Sequence, residues 1–208
     1  LTDKSIKTLI FDLGGVILDL SIDHTLEAFT ALSKFDKSQV LKIFASSHGF
    51  ELYEKGGMTD SAFRNFIREV YASEASDSEI DRCWNAMLRG IPEGKLKLLK
   101  RLMLSHQVIL LSNTNTIHLN HINQVILPKV ADVQSLDPYF HKTYYSHLMR
   151  KRKPDAEIFE QVLHENDLVP EHTLFLDDNE MNIKGANAVG IKTVHVTTPD
   201  LILEYFHE

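Results

Sequence analysis

The sequence predicts an α/β protein, a doubly wound, Rossmann-like parallel sheet core carrying an inserted helical domain. Three observations carry this reading. From residue 90 to the end, short apolar runs that read as strands alternate with helical patterns. One strand-like run, Lys7-Thr-Leu-Ile-Phe-Asp12, stands alone near the start. The stretch between reads as one helix after another. Strands separated by helices pair in parallel, with both sheet faces covered. The core is therefore expected from residues 1–17 and 90–208, and the helical insert from residues 18–89.

The first strand is a short apolar run ended by Gly14 and Gly15. In the insert, helices are expected at 22–33, 37–46 and 60–71, with a turn at Gly56-Gly57. The helix expected at 77–89 has the clearest signature. Ser76 and Glu79 make a capping-box pattern, and Ile80, Cys83, Trp84, Met87 and Leu88 follow at helical spacing. Beyond it the pattern predicts a helix at 93–104, a strand at Val108–Ser112, a helix at 116–126 stopped by Pro128, and a short strand at Thr143–His147. A helix at 155–166, a strand at Thr173–Asp177, a helix at 180–189 closed by Gly190, and a strand at Thr193–Val196 complete the chain.

Composition narrows the class. With 208 residues, 43% of them hydrophobic, the chain is long enough to bury a sizeable core without covalent staples. Its single cysteine, Cys83, excludes an internal disulfide framework, lies in an apolar helical stripe, and fits a reducing compartment. No apolar run approaches the ~18 residues of a membrane span, and the start lacks a signal-peptide layout, so a cytoplasmic protein with no membrane partner is expected. A net charge of −7 disfavours nucleic-acid binding. The run Arg150-Lys-Arg-Lys153 reads more plainly as a solvated face than as a nucleic-acid patch. A monomer or weak homo-oligomer is expected.

In open parallel sheets, ligands bind beyond the carboxyl ends of the strands. The first strand ends in Asp12, the second in Ser112-Asn113 and the fourth in Asp177-Asp178, while the third is followed by Lys153-Pro154. Carboxylates, a hydroxyl, loop amides and one lysine suit a phosphate with a hard divalent cation. Plainer roles exist for each. Asp12 would serve as a turn residue, Ser112-Asn113-Thr114-Asn115 or Asp177-Asp178 as helix caps, and Lys153 as a solvated side chain. Against these, a carboxylate closing an apolar strand is costly unless paired or metal-bound. Pro154, Asp155 and Glu157 also suit a helix start, which places Lys153 at a strand-to-helix junction.

These residues carry a family likeness. Phe11-Asp-Leu-Gly-Gly-Val16 resembles the first motif of the haloacid dehalogenase-like superfamily, Leu111-Ser-Asn-Thr-Asn115 the second, Arg152-Lys-Pro154 the third and Leu174-Phe-Leu-Asp-Asp-Asn179 the fourth. Asn182 to Gly190 resembles the helix that follows. The four motifs occur in order and span nearly the whole chain. The insert matches the family's cap between the first two motifs. The likeness extends to bacterial sugar-phosphate phosphatases of the α-D-glucose-1-phosphate type.

The resemblance implies a magnesium-dependent phosphatase of small phosphorylated metabolites. Asp12 would be the nucleophile and form an aspartyl-phosphate that water hydrolyses. Mg2+ would be held by Asp12, the Gly14 carbonyl and Asp178, with Asp177 in support. Ser112 and the Asn113 amide would bind phosphate oxygens, and Lys153 would steady Asp12 and the transferring charge. A sugar phosphate, more sharply a hexose 1-phosphate, is the expected substrate, chosen by the cap, with the Glu51–Thr59 turn as a specificity loop.

The chain departs from many family phosphatases in one respect. Two positions after the nucleophile they carry an aspartate that protonates the leaving oxygen, and here that position is Gly14. Such acid–base help is worth about 10²–10⁴-fold. A good leaving group, a metal-bound water or a cap residue would have to compensate, and Asp19 and His24 lie nearby in sequence. The alternatives are a metal-independent dehalogenase and a catalytically weak phosphate-ligand binder. His118 and His121, three apart on a helix, read as surface histidines. Gly-rich nucleotide cradles and a serine-hydrolase elbow are absent.

Overall fold

The computed structural model describes residues 3–207. The chain opens with β1 (Thr8–Phe11) and a short β2 (Asp19–Leu20). Five helices follow: α1 (Ile22–Leu32), α2 (Lys37–Ser46), α3 (His48–Glu54), α4 (Asp60–Val70) and α5 (Asp77–Asn85). After β3 (Leu88–Gly90) come α6 (Glu93–Leu102), β4 (Gln107–Ser112), α7 (Thr116–His121), β5 (Lys142–Tyr145), α8 (Ser146–Met149) and α9 (Ala156–Glu165). The chain ends with β6 (Thr173–Asp177), α10 (Glu180–Ala188), β7 (Lys192–His195) and α11 (Leu201–Tyr205).

Five strands make one parallel sheet in the order β5-β4-β1-β6-β7, the expected α/β architecture. Its strands alternate between two covered faces, because successive side chains of a strand point oppositely. Leu9, Phe11, Leu110 and Leu176 pack with Leu96 and Leu99 of α6 and Ile202 of α11. Ile10, Ile109, Leu111 and Phe175 pack with Ile158 and Phe159 of α9 and Ala186 of α10. Leu9, Ile10 and Phe11 are wholly buried; at ~1.5–3 kcal/mol per buried apolar side chain, this four-residue strand is held by its central position.

The chain leaves β1 toward β4 and β5, then returns to the other side for β6 and β7. That reversal beside β1 is the crevice where open α/β sheets bind ligands. Register brings the strand ends level: Phe11 pairs with Leu110 and Leu176, and the Asp12 N–H donates to the Leu176 carbonyl at 2.9 Å.

Helices α1–α5 surround a second apolar cluster rich in rings, including Phe29, Phe50, Phe63 and Trp84, which Ile117 of α7 joins from the sheet side. The Ser76–Glu79 capping box forms as read from the sequence. Several expectations change, and α11 follows the strand expected to end the chain. The helix expected to 89 stops at Asn85, and Leu88–Gly90 instead pairs antiparallel with Asp19–Leu20; Gly90, at φ 138°, has no place in a helix. Helix α3 was not expected, because seven residues give little periodicity. The helix expected at 116–126 is α-helical only to His121 and widens into a π turn over Ile122–Ile126. The third strand ends at Tyr145 rather than His147, where α8 begins.

The basic run does not form a patch. Lys153 is wholly buried, and Arg152 is paired with Glu51 and Glu54 of α3. Among the described residues no helix is long and apolar enough to cross a membrane.

Candidate active site

Asp12 follows β1, Asp177 ends β6 and Ser112 ends β4, so the sheet itself delivers these three side chains to one edge. Lys153 reaches in from the loop between α8 and α9. Its Nζ donates to Asp12 Oδ1 at 2.7 Å and to Asp177 Oδ2 at 2.6 Å. Burial alone would lower the lysine pKa, but the two carboxylates outweigh it and hold the ammonium above its ordinary value.

Asp177 is saturated. Besides Lys153, its Oδ1 accepts from the Asn179 N–H at 2.8 Å, and Asn182 Nδ2 donates to both oxygens at 3.0 Å. Asp178 is the exposed one of the pair; partial burial, then the Asp177 charge, raises its pKa. One oxygen from each of Asp12, Asp177 and Asp178 lies within 4.8 Å of the others. Three carboxylates face one ammonium, so with all groups ionised two negative charges stay uncompensated. Burial pushes Asp12 up to about 7, against the pull of Lys153. The donor set is all oxygen, dianionic and partly dry, which fits a small hard dication. With the Asp177 oxygens occupied, Asp12 and Asp178 are the carboxylates free to take it.

Of the two glycines after Asp12, Gly15 is required by close approach. Gly15 has φ 72°, and a Cβ there would lie 2.2 Å from Asp178 Oδ2. A Cβ on Gly14 would lie 2.6 Å from Leu20 Cδ1, so the strand β2 fills the space two positions after Asp12.

Asn113 does more than its backbone suggested. Its side-chain amide donates to the Lys153 carbonyl and accepts from the Lys153 N–H, both at 2.9 Å, fixing the lysine loop against the end of β4. Ser112 is buried, its Oγ reaching no nearer partner among the described residues than the Asn113 carbonyl at 3.5 Å. The Lys153–Pro154 peptide is cis.

A cavity of about 270 Å³ opens over these groups, with Asp12, Gly14, Ser112, Asn113 and Asp178 in its wall. The helical insert supplies the opposite wall, through Phe44, Glu54, Trp84 and Met87. Asp19 and His24 are not part of it: Asp19 is bound to the buried Lys95 at 2.8 Å, and His24 lies on the exposed side of α1 with its Nδ1 on Ser21. His118 corrects the sequence reading. It is buried, stacks on Trp84 at 4.6 Å between ring centres, and its Nε2 lies 3.1 Å from the Trp84 carbonyl. Burial lowers its pKa to about 4, leaving the ring neutral.

Sequence reasoning missed Asn182, the clamp on Asp177, and the Glu54–Arg152 pair. Asn182 sat in a stretch noted only for its likeness, and nothing in a linear pattern brings Glu54 to Arg152.

The family model for haloacid dehalogenase-like hydrolases matches residues 6–190. The chain belongs to this family. Among members of the haloacid dehalogenase-like family, it is similar to a D-ribitol-5-phosphate phosphatase of Bacteroides thetaiotaomicron, 29% identical over 189 residues and covering 90% of each chain. A solved HAD family enzyme from Bacteroides thetaiotaomicron, crystallised with magnesium and inorganic phosphate, is 37% identical with a TM-score of 0.83, covering 91% of this chain and 93% of that one. A predicted HAD-like hydrolase of Porphyromonas gingivalis superposes with the same TM-score of 0.83 at 25% identity, covering 98% and 99%.

Proposed function

We propose that this hydrolase is a cytoplasmic, magnesium-dependent phosphatase of small phosphate monoesters, with Asp12 as nucleophile. The observation that carries the reading is the buried Lys153 shared between Asp12 and a saturated Asp177, beside a free Asp178. One carboxylate is oriented by the ammonium and two uncompensated charges remain for a dication. The relatives named for a sugar-alcohol phosphate and crystallised with magnesium and phosphate support the same assignment.

Mg2+, held by Asp12, the Gly14 carbonyl and Asp178, would neutralise phosphate charge and favour ionised Asp12. The protein's own groups do the rest. Lys153 holds Asp12 Oδ1, leaving Oδ2 for in-line attack on phosphorus and formation of an aspartyl-phosphate. The Ser112 hydroxyl and the Asn113 amide hold the non-bridging oxygens. Residues 18–89 act as the cap, closing the cavity over the ester and excluding water.

At about 270 Å³ the cavity is smaller than the ~300–1,000 Å³ of sites for drug-sized ligands, which suits a sugar or polyol phosphate such as a hexose 1-phosphate. A dehalogenase would attack carbon without a metal and would have no use for the uncompensated charge. The test is phosphate release from a panel of phosphorylated sugars and polyols, with and without magnesium, for the wild type and Asp12→Asn. Magnesium-dependent release that the substitution abolishes is expected. Activity that survives full chelation, or release by Asp12→Asn at the wild-type rate, would overturn the reading.

A further inference from the structure

Sugar and polyol esters leave as alkoxides, and an alkoxide needs a proton as the P–O bond breaks; a positioned acid is worth about 10²–10⁴-fold. Position 14 has no side chain to supply it, and Leu20 occupies the space one would fill. A side chain on another wall of the cavity would compensate.

Among the described residues lining that cavity the titratable groups are few. Asp12 and Asp178 are already assigned. His118 has both ring nitrogens engaged, Nε2 at the Trp84 carbonyl and Nδ1 at Asn115 Nδ2, and burial holds it neutral. Arg152 is paired with Glu51 and Glu54. Glu54, the last residue of α3, is the third carboxylate of the cavity.

Glu54 is held toward the strand ends. Arg152 Nε and Nη2 donate to its Oε2 at 3.2 and 2.9 Å, while Oε1 accepts no hydrogen bond among the described residues. Its carbonyl accepts from Ser146 Oγ at 2.7 Å, and that same oxygen accepts from the Thr114 N–H at 2.9 Å, two residues beyond Ser112. Arg152 is the neighbour of Lys153 in the chain. The carboxyl is thus tied to both loops that carry the phosphate-side residues, although it belongs to the insert. The side chain is 23% exposed. The charged and titratable groups around it are Arg152 and Lys153 from the sheet side, Glu51 on its own helix, Lys55 paired with Asp155, Asp60 of α4 under the Tyr53 hydroxyl, and His147, whose carbonyl packs against Gly56. Burial raises the Glu54 pKa in spite of Arg152.

We propose that Glu54 is the acid–base residue of the reaction, acting from the cap in place of a side chain at position 14; this rests on the phosphatase reading above. As Asp12 Oδ2 bonds to phosphorus, the ester P–O bond breaks, and the leaving oxygen takes the bond's electron pair and the proton of the Glu54 carboxyl. The resulting Glu54 carboxylate then takes a proton from water. The water oxygen bonds to phosphorus, the bond between phosphorus and Asp12 breaks with its electron pair returning to Asp12, and inorganic phosphate leaves. Both ends of the cycle restore the starting protonation.

The test is Glu54→Gln, which keeps an acceptor for Arg152 but carries no acidic proton. Rapid-quench measurements at saturating magnesium would compare glucose 1-phosphate, or whichever sugar or polyol phosphate the wild type turns over best, with 4-nitrophenyl phosphate, whose leaving group needs no proton. The variant is expected to lose about 10²-fold or more in phosphoenzyme formation from the sugar ester. With the aryl ester it should keep the wild-type first step, giving a burst of nitrophenol followed by slow turnover. The wild-type rate with the sugar ester should fall as pH rises through the Glu54 pKa, and that limb should be missing in the variant. Equal loss with both esters would reduce Glu54 to a support for Arg152, and no loss with either would remove it from the reaction. Wild-type protein that releases phosphate from no ester would instead sink the phosphatase reading, and this proposal with it.

Discussion

The ammonium of Lys153 and the carboxylate of Asp177 meet at 2.6 Å, and neither side chain is reached by solvent. A pair this deep depends on both partners, because removing one leaves an uncompensated buried charge. Lys153→Met should therefore lower stability by roughly 3–5 kcal/mol near neutral pH. The sign of the pH dependence follows. Burial already raises the folded-state pKa of Asp12 above its unfolded value, and without the ammonium nothing pulls it back, so the variant should regain stability as pH falls and this carboxyl protonates. Urea unfolding of both proteins at about pH 5 and pH 8 reads this. A deficit that widens toward acid pH would contradict it.

Asp177 and Asp178 should separate cleanly. Asp178→Asn is expected to raise the magnesium concentration needed for half-maximal activity by tenfold or more, with little change in unfolding. Asp177→Asn should mainly destabilise the fold, because it removes the acceptor shared by Lys153 and Asn182. Magnesium titrations and denaturation curves of the two variants check this, and the reverse pattern would reassign the ligand.

Gly15→Ala should disturb the same site from the backbone. It places a Cβ on Asp178 Oδ2 and forces a left-handed φ on alanine, at a cost of roughly 1–3 kcal/mol. The expected result is a weaker magnesium response along with the lower stability. Gly14→Ala meets only the tip of Leu20, which can turn aside, and should be the milder change in both measurements.

His118 predicts an acid-side loss of stability. Its folded pKa, about 4, lies below the 6.5 of an unperturbed histidine, so the unfolded chain binds the extra proton first. The contribution is complete above pH ~6.5 and is lost as pH falls toward 4, amounting to about 3 kcal/mol. His118→Gln should flatten the wild-type slope over that window, measured as unfolding free energy against pH. Identical slopes would place the titration elsewhere.

Much of the site was legible in sequence because buried strands are short apolar runs, and the polar residue ending each one must lie at the same sheet edge once the strands run parallel. Asp12, Ser112 and Asp177 were found in that way, and Lys153 from its place before Pro154. The short ribbon of β2 and β3 was not legible, since two and three residues carry no period. His118 was misread because its partner, Trp84, lies on α5 of the insert, far from α7 in sequence.

What the sequence by itself determined is the class of chemistry: four separated motifs, each a strand end or a strand-to-helix junction, whose residue types suit phosphate and a hard cation. How Asp177 is saturated while Asp178 is not, and that Glu54 of the insert lies in the cavity wall, was decided by the tertiary structure. The reason is physical. Hydrogen-bond saturation of Asp177 by Lys153, Asn179 and Asn182, and the anchoring of Glu54 by Arg152 and Ser146, arise between elements that only packing brings within three ångströms of one another.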